Sequence, residues 1–260
     1  MKNYLDLEKG KKIASILLSD YSQKRGVFKE FPFPPEYLLP KGIEKGSDEQ
    51  LLFLTLTVSL DYMRDSKKLW KQSYDAWFDP GAKWIFNPKI VIQNKLTSLV
   101  KLFEKINDQR PRRDAKIWFT ISKKILEFSE SIYNLIEYFD FDAIKISEYI
   151  QNNRRDFPYL GGPKIKPLWL RMINDTAGIK LKKVEKIPIP VDVHTARATF
   201  KLIFNENFNG QVTDEIREKI QNTWKDILKG SKIFPLQLDE PLWLLGKHKL
   251  LEKFTKEHNF

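Results

Sequence analysis

Two residues twenty-eight positions apart, Lys164 and Asp192, have the types needed for an amine nucleophile and its acidic partner. Lys164 follows Leu160-Gly161-Gly162-Pro163, a run that turns the chain and then starts a helix. The glycines permit a tight turn with positive φ. Pro163 suits the first helical position, where its missing N–H costs nothing. Lys164 then falls at the second position, where the positive end of the helix macrodipole repels an ammonium. Repulsion and partial desolvation lower an amine's pKa, and the neutral amine is the form that attacks an electrophile. A lysine that touches phosphate, or one that is merely solvated, satisfies the same spacing. Lys166 is the nearby competitor, but it sits about 200° further round the helix and faces elsewhere.

Asp192 ends the segment Ile187-Pro188-Ile189-Pro190-Val191 and precedes Val193-His194-Thr195-Ala196-Arg197. Its type and place are those of a helix N-cap, and capping alone explains it. The apolar sleeve before it carries the carboxylate toward the interior, and the prolines fix its direction. Such a carboxylate can take a proton from an amine or stabilise positive charge developing on a sugar.

The elements that must position these groups are helical throughout. Residues 1–25 repeat Ile13, Ile16, Leu17 and Tyr21 at helical spacing. Pro32, Pro34, Pro35, Pro40, Gly42 and Gly46 make 31–46 a surface loop. Ser47-Asp48-Glu49-Gln50 caps a helix whose 51–60 run is apolar on nearly every side, as in a central, buried helix. Further helices are expected over 65–77, 88–106, 114–133, 141–152, 163–174, 193–204, 213–228 and 242–254. Only 187–191 suggests extended structure, and its prolines argue against a central strand. The class is all-α, with roughly ten helices. Helices 141–152 and 163–174 with their turn form a helix–hairpin–helix. The first-turn N–H groups after Gly161 and Gly162 suit phosphate, and Arg154 and Arg155 stand beside that turn. Two lobes are expected, one over about 61–192 and one from 1–60 plus 193–260, with an active-site cleft between them.

The 260 residues carry 45 Lys+Arg against 34 Asp+Glu, a formal charge of +11. That excess suits an anionic partner, since each neutralised phosphate releases a counterion; a solubilising charge accounts for it equally. With no cysteine there is no disulfide framework, thiolate zinc site or iron–sulfur cluster. Three scattered histidines (His194, His248, His258) argue against a histidine metal cage. No apolar run approaches the ~20 residues that span a bilayer, and Met1 to Asp6 lacks a signal-peptide apolar region. A cytoplasmic monomer with no cofactor, no metal and no membrane partner is expected. Abundant Lys, Glu and Ile hints at a thermophile.

The residues around Lys164 and Asp192 resemble the helix–hairpin–helix DNA glycosylase superfamily, and are most similar to its archaeal 8-oxoguanine DNA glycosylases. A second similarity is Pro235-Leu236-Gln237-Leu238-Asp239-Glu240-Pro241-Leu242-Trp243-Leu244-Leu245-Gly246-Lys247, like the family's Leu-Asp-x-x-Leu-Trp-Leu-x-Gly stretch. The likeness covers roughly the second half of the chain. It implies a base-excision enzyme on duplex DNA containing a damaged base, with glycosylase and AP lyase activity. Lys164 would be the Schiff-base nucleophile and Asp192 its catalytic partner. Asp239 and Trp243 would belong to the base pocket, joined by Arg171, seven after the lysine, and by Trp70 from an earlier helix. Trp243 suits core packing as well. The hairpin departs from the superfamily's Gly-x-Gly pattern, Pro167 lies in the first turn, and the 164–192 interval is slightly shorter than in the archaeal family. These departures bear on the substrate more than on the chemistry. The rival readings are a monofunctional glycosylase for another base, a non-catalytic helix–hairpin–helix DNA-binding protein, and a helical protein whose charge has no nucleic-acid role.

Overall fold

Most helix starts coincide with a side chain that can take a backbone N–H. The computed structural model describes residues 6–31, 37–106 and 108–260. Along the chain, Asp6 caps α1 (Leu7–Ser22), Ser47 caps α2 (Asp48–Leu60), Asp65 caps α3 (Ser66–Phe78) and Asn87 caps α4 (Pro88–Gln93). After α5 (Leu96–Lys105) and α6 (Pro111–Ile125), Ser131 caps α7 (Ile132–Tyr138) and Asp142 caps α8 (Ala143–Asn152). Then come α9 (Ile165–Arg171), α10 (Val193–Thr199, capped by Asp192), α11 (Asp214–Ile227, capped by Thr213), α12 (Asp239–Lys247) and α13 (Leu251–His258). Among the described residues the fold is all-α: the sole β pairing is an isolated parallel bridge, Asp142 to Lys182. No helix there is long and apolar enough to cross a membrane.

Several expected helices are shorter or divided. The 88–106 helix breaks where Asn94 donates its side-chain amide back to the Ile90 carbonyl (2.8 Å) and Lys95 turns extended. The 114–133 helix begins earlier, with Pro111 in its first turn, and stops at Ile125. Ser129 and Glu130 then adopt left-handed φ values of 54° and 64°, which no helix continues through. The 242–254 helix starts at Asp239 and is interrupted at left-handed Lys249 (φ 56°). The 163–174 and 193–204 helices keep their places, but each changes to a π-helical turn, at Met172–Thr176 and Phe200–Phe204. Residues 1–5 of the first helix and 32–36 of the proline loop lie outside the described residues.

The chain divides into two compact units, a terminal one of Met1–Pro34 with Glu185–Phe260 and a middle one of Pro35–Val184. The boundaries expected near 60 and 192 are thereby drawn earlier in the chain. Helix α2 packs against α3, α6, α7 and α9, which takes it into the middle unit. As its all-round hydrophobicity requires, α2 is buried from Gln50 through Leu60. The Trp169 indole donates to Thr55 Oγ1 at 2.9 Å, fixing α9 to α2. The terminal unit has its own core, in which Ile13, Leu17, Trp224, Leu242, Leu245 and Phe254 are fully buried. There the Trp224 indole donates to Thr199 Oγ1 at 2.9 Å and fixes α11 to α10.

The middle unit also buries charge. The fully buried Arg64 side chain pairs with Asp114 (2.6 Å) and Asp108 (3.1 Å). Burial, then the neighbouring Asp108 charge, raises the Asp114 pKa, while Arg64 opposes the shift. Removing one partner of a buried pair leaves an uncompensated charge. Arg64→Met is therefore expected to destabilise the middle unit by about 3–5 kcal/mol, read by urea unfolding. A loss below about 1 kcal/mol would show that the pair contributes as little as a surface one.

Candidate active site

The hairpin lies in the middle unit. Lys164 is half-buried and is the N-cap of α9, in helical conformation (φ −93°, ψ −50°) and with no side-chain cap. The expected second helical position is thus two places early, and Pro163 precedes the helix instead of opening it. Neither glycine adopts positive φ; the left-handed residue of the turn is Tyr159, at 61°. The glycines are needed for close approach. A Cβ on Gly161 would lie 2.8 Å from Arg154 Cβ, and one on Gly162 would lie 2.9 Å from the Tyr159 carbonyl oxygen. Their N–H groups, expected to meet phosphate, donate instead to the Phe157 and Tyr159 carbonyls, each at 2.9 Å. Arg154 and Arg155 are exposed just before the turn.

Lys166, the alternative amine, faces α8. Its Nζ donates to the Ser147 carbonyl (3.3 Å) and Gln151 Oε1 (3.1 Å). Burial lowers its pKa, with the Glu148 charge opposing. Arg171 is the last residue of α9 and is buried. Trp70 is fully buried in an aromatic cluster, its ring centroid 5.0 Å from Tyr37 and 6.1 Å from Phe53.

Asp192 lies in the terminal unit. Gln221 donates to the Ile189 carbonyl at 3.0 Å and holds the proline segment, whose Ile189 and Val191 are buried. Asp192 follows in extended conformation and caps α10. Its Oδ1 accepts the His194 N–H at 2.8 Å and the Thr195 N–H at 3.0 Å. Its Oδ2 accepts the Trp243 indole N–H at 3.2 Å. Asp239 and Trp243 are both buried on α12, four positions apart. The Trp243 ring lies edge-on to His194 (5.8 Å between centroids) and to His248 (6.2 Å). Burial pushes the His194 imidazole below the ordinary histidine value, with the Asp192 charge opposing.

The residue that sequence reasoning left without a role is Gly246. A Cβ there would fall 2.1 Å from the His194 carbonyl oxygen, so α12 reaches the start of α10 only because this position has no side chain. The available signal was a glycine inside a helical pattern, which costs about 1 kcal/mol relative to alanine unless packing requires it. Among the described residues no three His, Asp or Glu side chains converge as a metal site.

Residues 169–259 match the family model AGOG, N-glycosylase/DNA lyase. The chain thus carries an N-glycosylase/DNA lyase domain that acts on DNA in base excision repair. Arg171, Asp192, Asp239, Trp243 and Gly246 fall inside the matched stretch; Lys164 and Trp70 lie before it. No curated protein matches the chain.

Gly246→Ala is expected to lower stability by about 1–3 kcal/mol, because backbone and not a flexible side chain must move. It should also loosen the Trp243–Asp192 bond, seen as a shifted indole N–H resonance. An unchanged melting temperature and indole signal would mean that α10 and α12 separate without cost.

Proposed function

We propose that the protein removes an oxidised purine, 8-oxoguanine, from duplex DNA through a Schiff base on Lys164. The observation that supports this most is the Asp192 carboxylate, fixed by two backbone N–H groups and the Trp243 indole. A carboxylate so oriented serves as a proton acceptor or as a counter-charge for a sugar losing its base.

In this reading the Lys164 amine bonds to C1′ while the C1′–N9 bond breaks. The base leaves with that electron pair and takes a proton from water, and the amine sheds one proton to Asp192. The C1′–O4′ bond then breaks as the remaining N–H proton passes to O4′, which opens the sugar ring and gives the imine. Loss of the C2′ proton then expels the 3′ phosphate, nicking the strand by β-elimination. The base-reading roles fall to Trp243 and Asp239 in the terminal unit and to Arg171 and Trp70 in the middle unit: an aromatic face stacks the flipped base and polar groups read its edge. Arg154 and Arg155 contact phosphate. With the amides of Gly161 and Gly162 turned to the Phe157 and Tyr159 carbonyls, these glycines serve DNA by allowing the tight hairpin.

Borohydride should trap a covalent complex between the wild-type protein and 8-oxoguanine duplex, and Lys164→Gln should yield none. Asp192→Asn should slow excision by about 10²–10⁴-fold, the usual contribution of a positioned acid or base. An adduct formed by Lys164→Gln would overturn the nucleophile assignment. Base release that leaves an intact abasic site would replace the amine with water.

A further inference from the structure

The terminal unit holds a cleft of about 780 Å³ that no residue of the proposed chemistry lines. Three segments wall it: Glu185 to Pro188, the end of α11 with Leu228 and Lys229 after it, and the loop from Ser231 to Pro235. Its volume lies within the roughly 300–1,000 Å³ of ordinary ligand pockets.

The interior is apolar. Ile187 and Leu228 are buried, and Ile233 and Phe234 are half-buried. The loop is preformed by bonds of its own. The Ser231 N–H donates to the Leu228 carbonyl at 3.0 Å. Ser231 Oγ accepts the Ile233 N–H at 3.1 Å and donates to the Ile233 carbonyl at 2.9 Å. The Phe234 N–H donates to Gln237 Oε1 at 3.0 Å. An occupant meets a wall already in place, so little ordering cost falls on binding.

The rim is basic. Lys186, Lys225, Lys229 and Lys232 are exposed around the cleft, against one carboxylate, Glu185. Among the described residues none of these four lysines is held in an ion pair. Lys225 and Lys229 also complement the negative end of the α11 macrodipole. Lys186 and Lys232 stand on the other two walls, which that dipole does not explain. A phosphate matches this poorly: it is a compact anion and gains nothing from an apolar floor. Cations spread over three segments around apolar surface match carboxylates set on either side of an apolar anchor.

We propose that this cleft docks an acidic segment of a partner protein. A pair of apolar side chains seats against Ile187, Leu228, Ile233 and Phe234, and flanking Asp or Glu residues pair with the four lysines. The docked segment leaves the Asp192–Trp243 bond untouched, because neither residue lines the cleft.

Fluorescence anisotropy on the full chain, with labelled synthetic peptides of about ten residues, tests this. One set carries a central Leu-Phe, Phe-Leu or Ile-Leu pair flanked by Asp and Glu. A second has Ser-Ser for the pair, and a third has Lys for each acid. The best of the first set should bind with a Kd of about 100 μM or tighter. Raising salt from about 0.05 to 0.3 M should weaken it severalfold. Both control sets should bind at least about tenfold more weakly. One variant combines Lys225→Glu, Lys229→Glu and Lys232→Glu and so reverses the rim. A second, Asn222→Trp, fills the cleft from the α11 wall. All four positions are exposed, so both variants should melt like wild type. Each should lose peptide binding at least about tenfold, yet excise from 8-oxoguanine duplex within about twofold of wild type. No binding by any peptide of the first set would overturn the docking site, as would equal binding by the Ser-Ser set or full binding by Asn222→Trp. Rim reversal that slows excision, with Asn222→Trp unaffected, would assign the lysines to DNA phosphate and overturn it too. The peptide arm needs no base excision, so a wild-type protein inert on the duplex contradicts the reading above and not this one.

Discussion

The Asp192 carboxylate has both oxygens committed. One takes the N–H groups of His194 and Thr195, and the other takes the Trp243 indole. This one group therefore does two jobs in the terminal unit. It satisfies donors that α10 leaves open at its start, and it joins α10 to α12 across fifty-one residues of sequence. The close approach at Gly246 is what allows that join, since any side chain there would meet the His194 carbonyl. Proline geometry before Asp192 and a missing Cβ on α12 are thus two conditions for one carboxylate direction.

The middle unit fixes its hairpin by different means. Helix α9 is held to the buried α2 by the Trp169–Thr55 bond and to α8 by Lys166. Lys166 thereby helps hold the two helices of the hairpin together. The π-helical turns after α9 and α10 occur in the two helices that carry the lysine and the aspartate. Such turns recur at functional sites because they change the phase of a helix within one turn.

How much of this was legible in the sequence depended on whether the cause was local. Ser47, Asp65 and Asp192 announce helix starts, because a cap bonds a backbone N–H two or three residues on. The all-round apolar run of α2 announces its burial. By contrast, the breaks at Asn94, Ser129 and Lys249 lie within continuing apolar periodicity, and local backbone conformation, not pattern, decides them. Gly161 and Gly162 were rightly singled out for the turn, but the left-handed residue proved to be Tyr159, and the glycines are there for space. Trp243 reads from sequence as a stacking face or as core. That its indole also holds Asp192 depends on two helices meeting, which no spacing encodes.

The central claim is that Lys164, and no other amine, bonds to the sugar. Its most direct test is peptide mass mapping of the borohydride-reduced complex formed on 8-oxoguanine duplex. The account predicts a deoxyribose remnant on Lys164 alone. A remnant on Lys166, whose pKa burial lowers, or on any other lysine would contradict it.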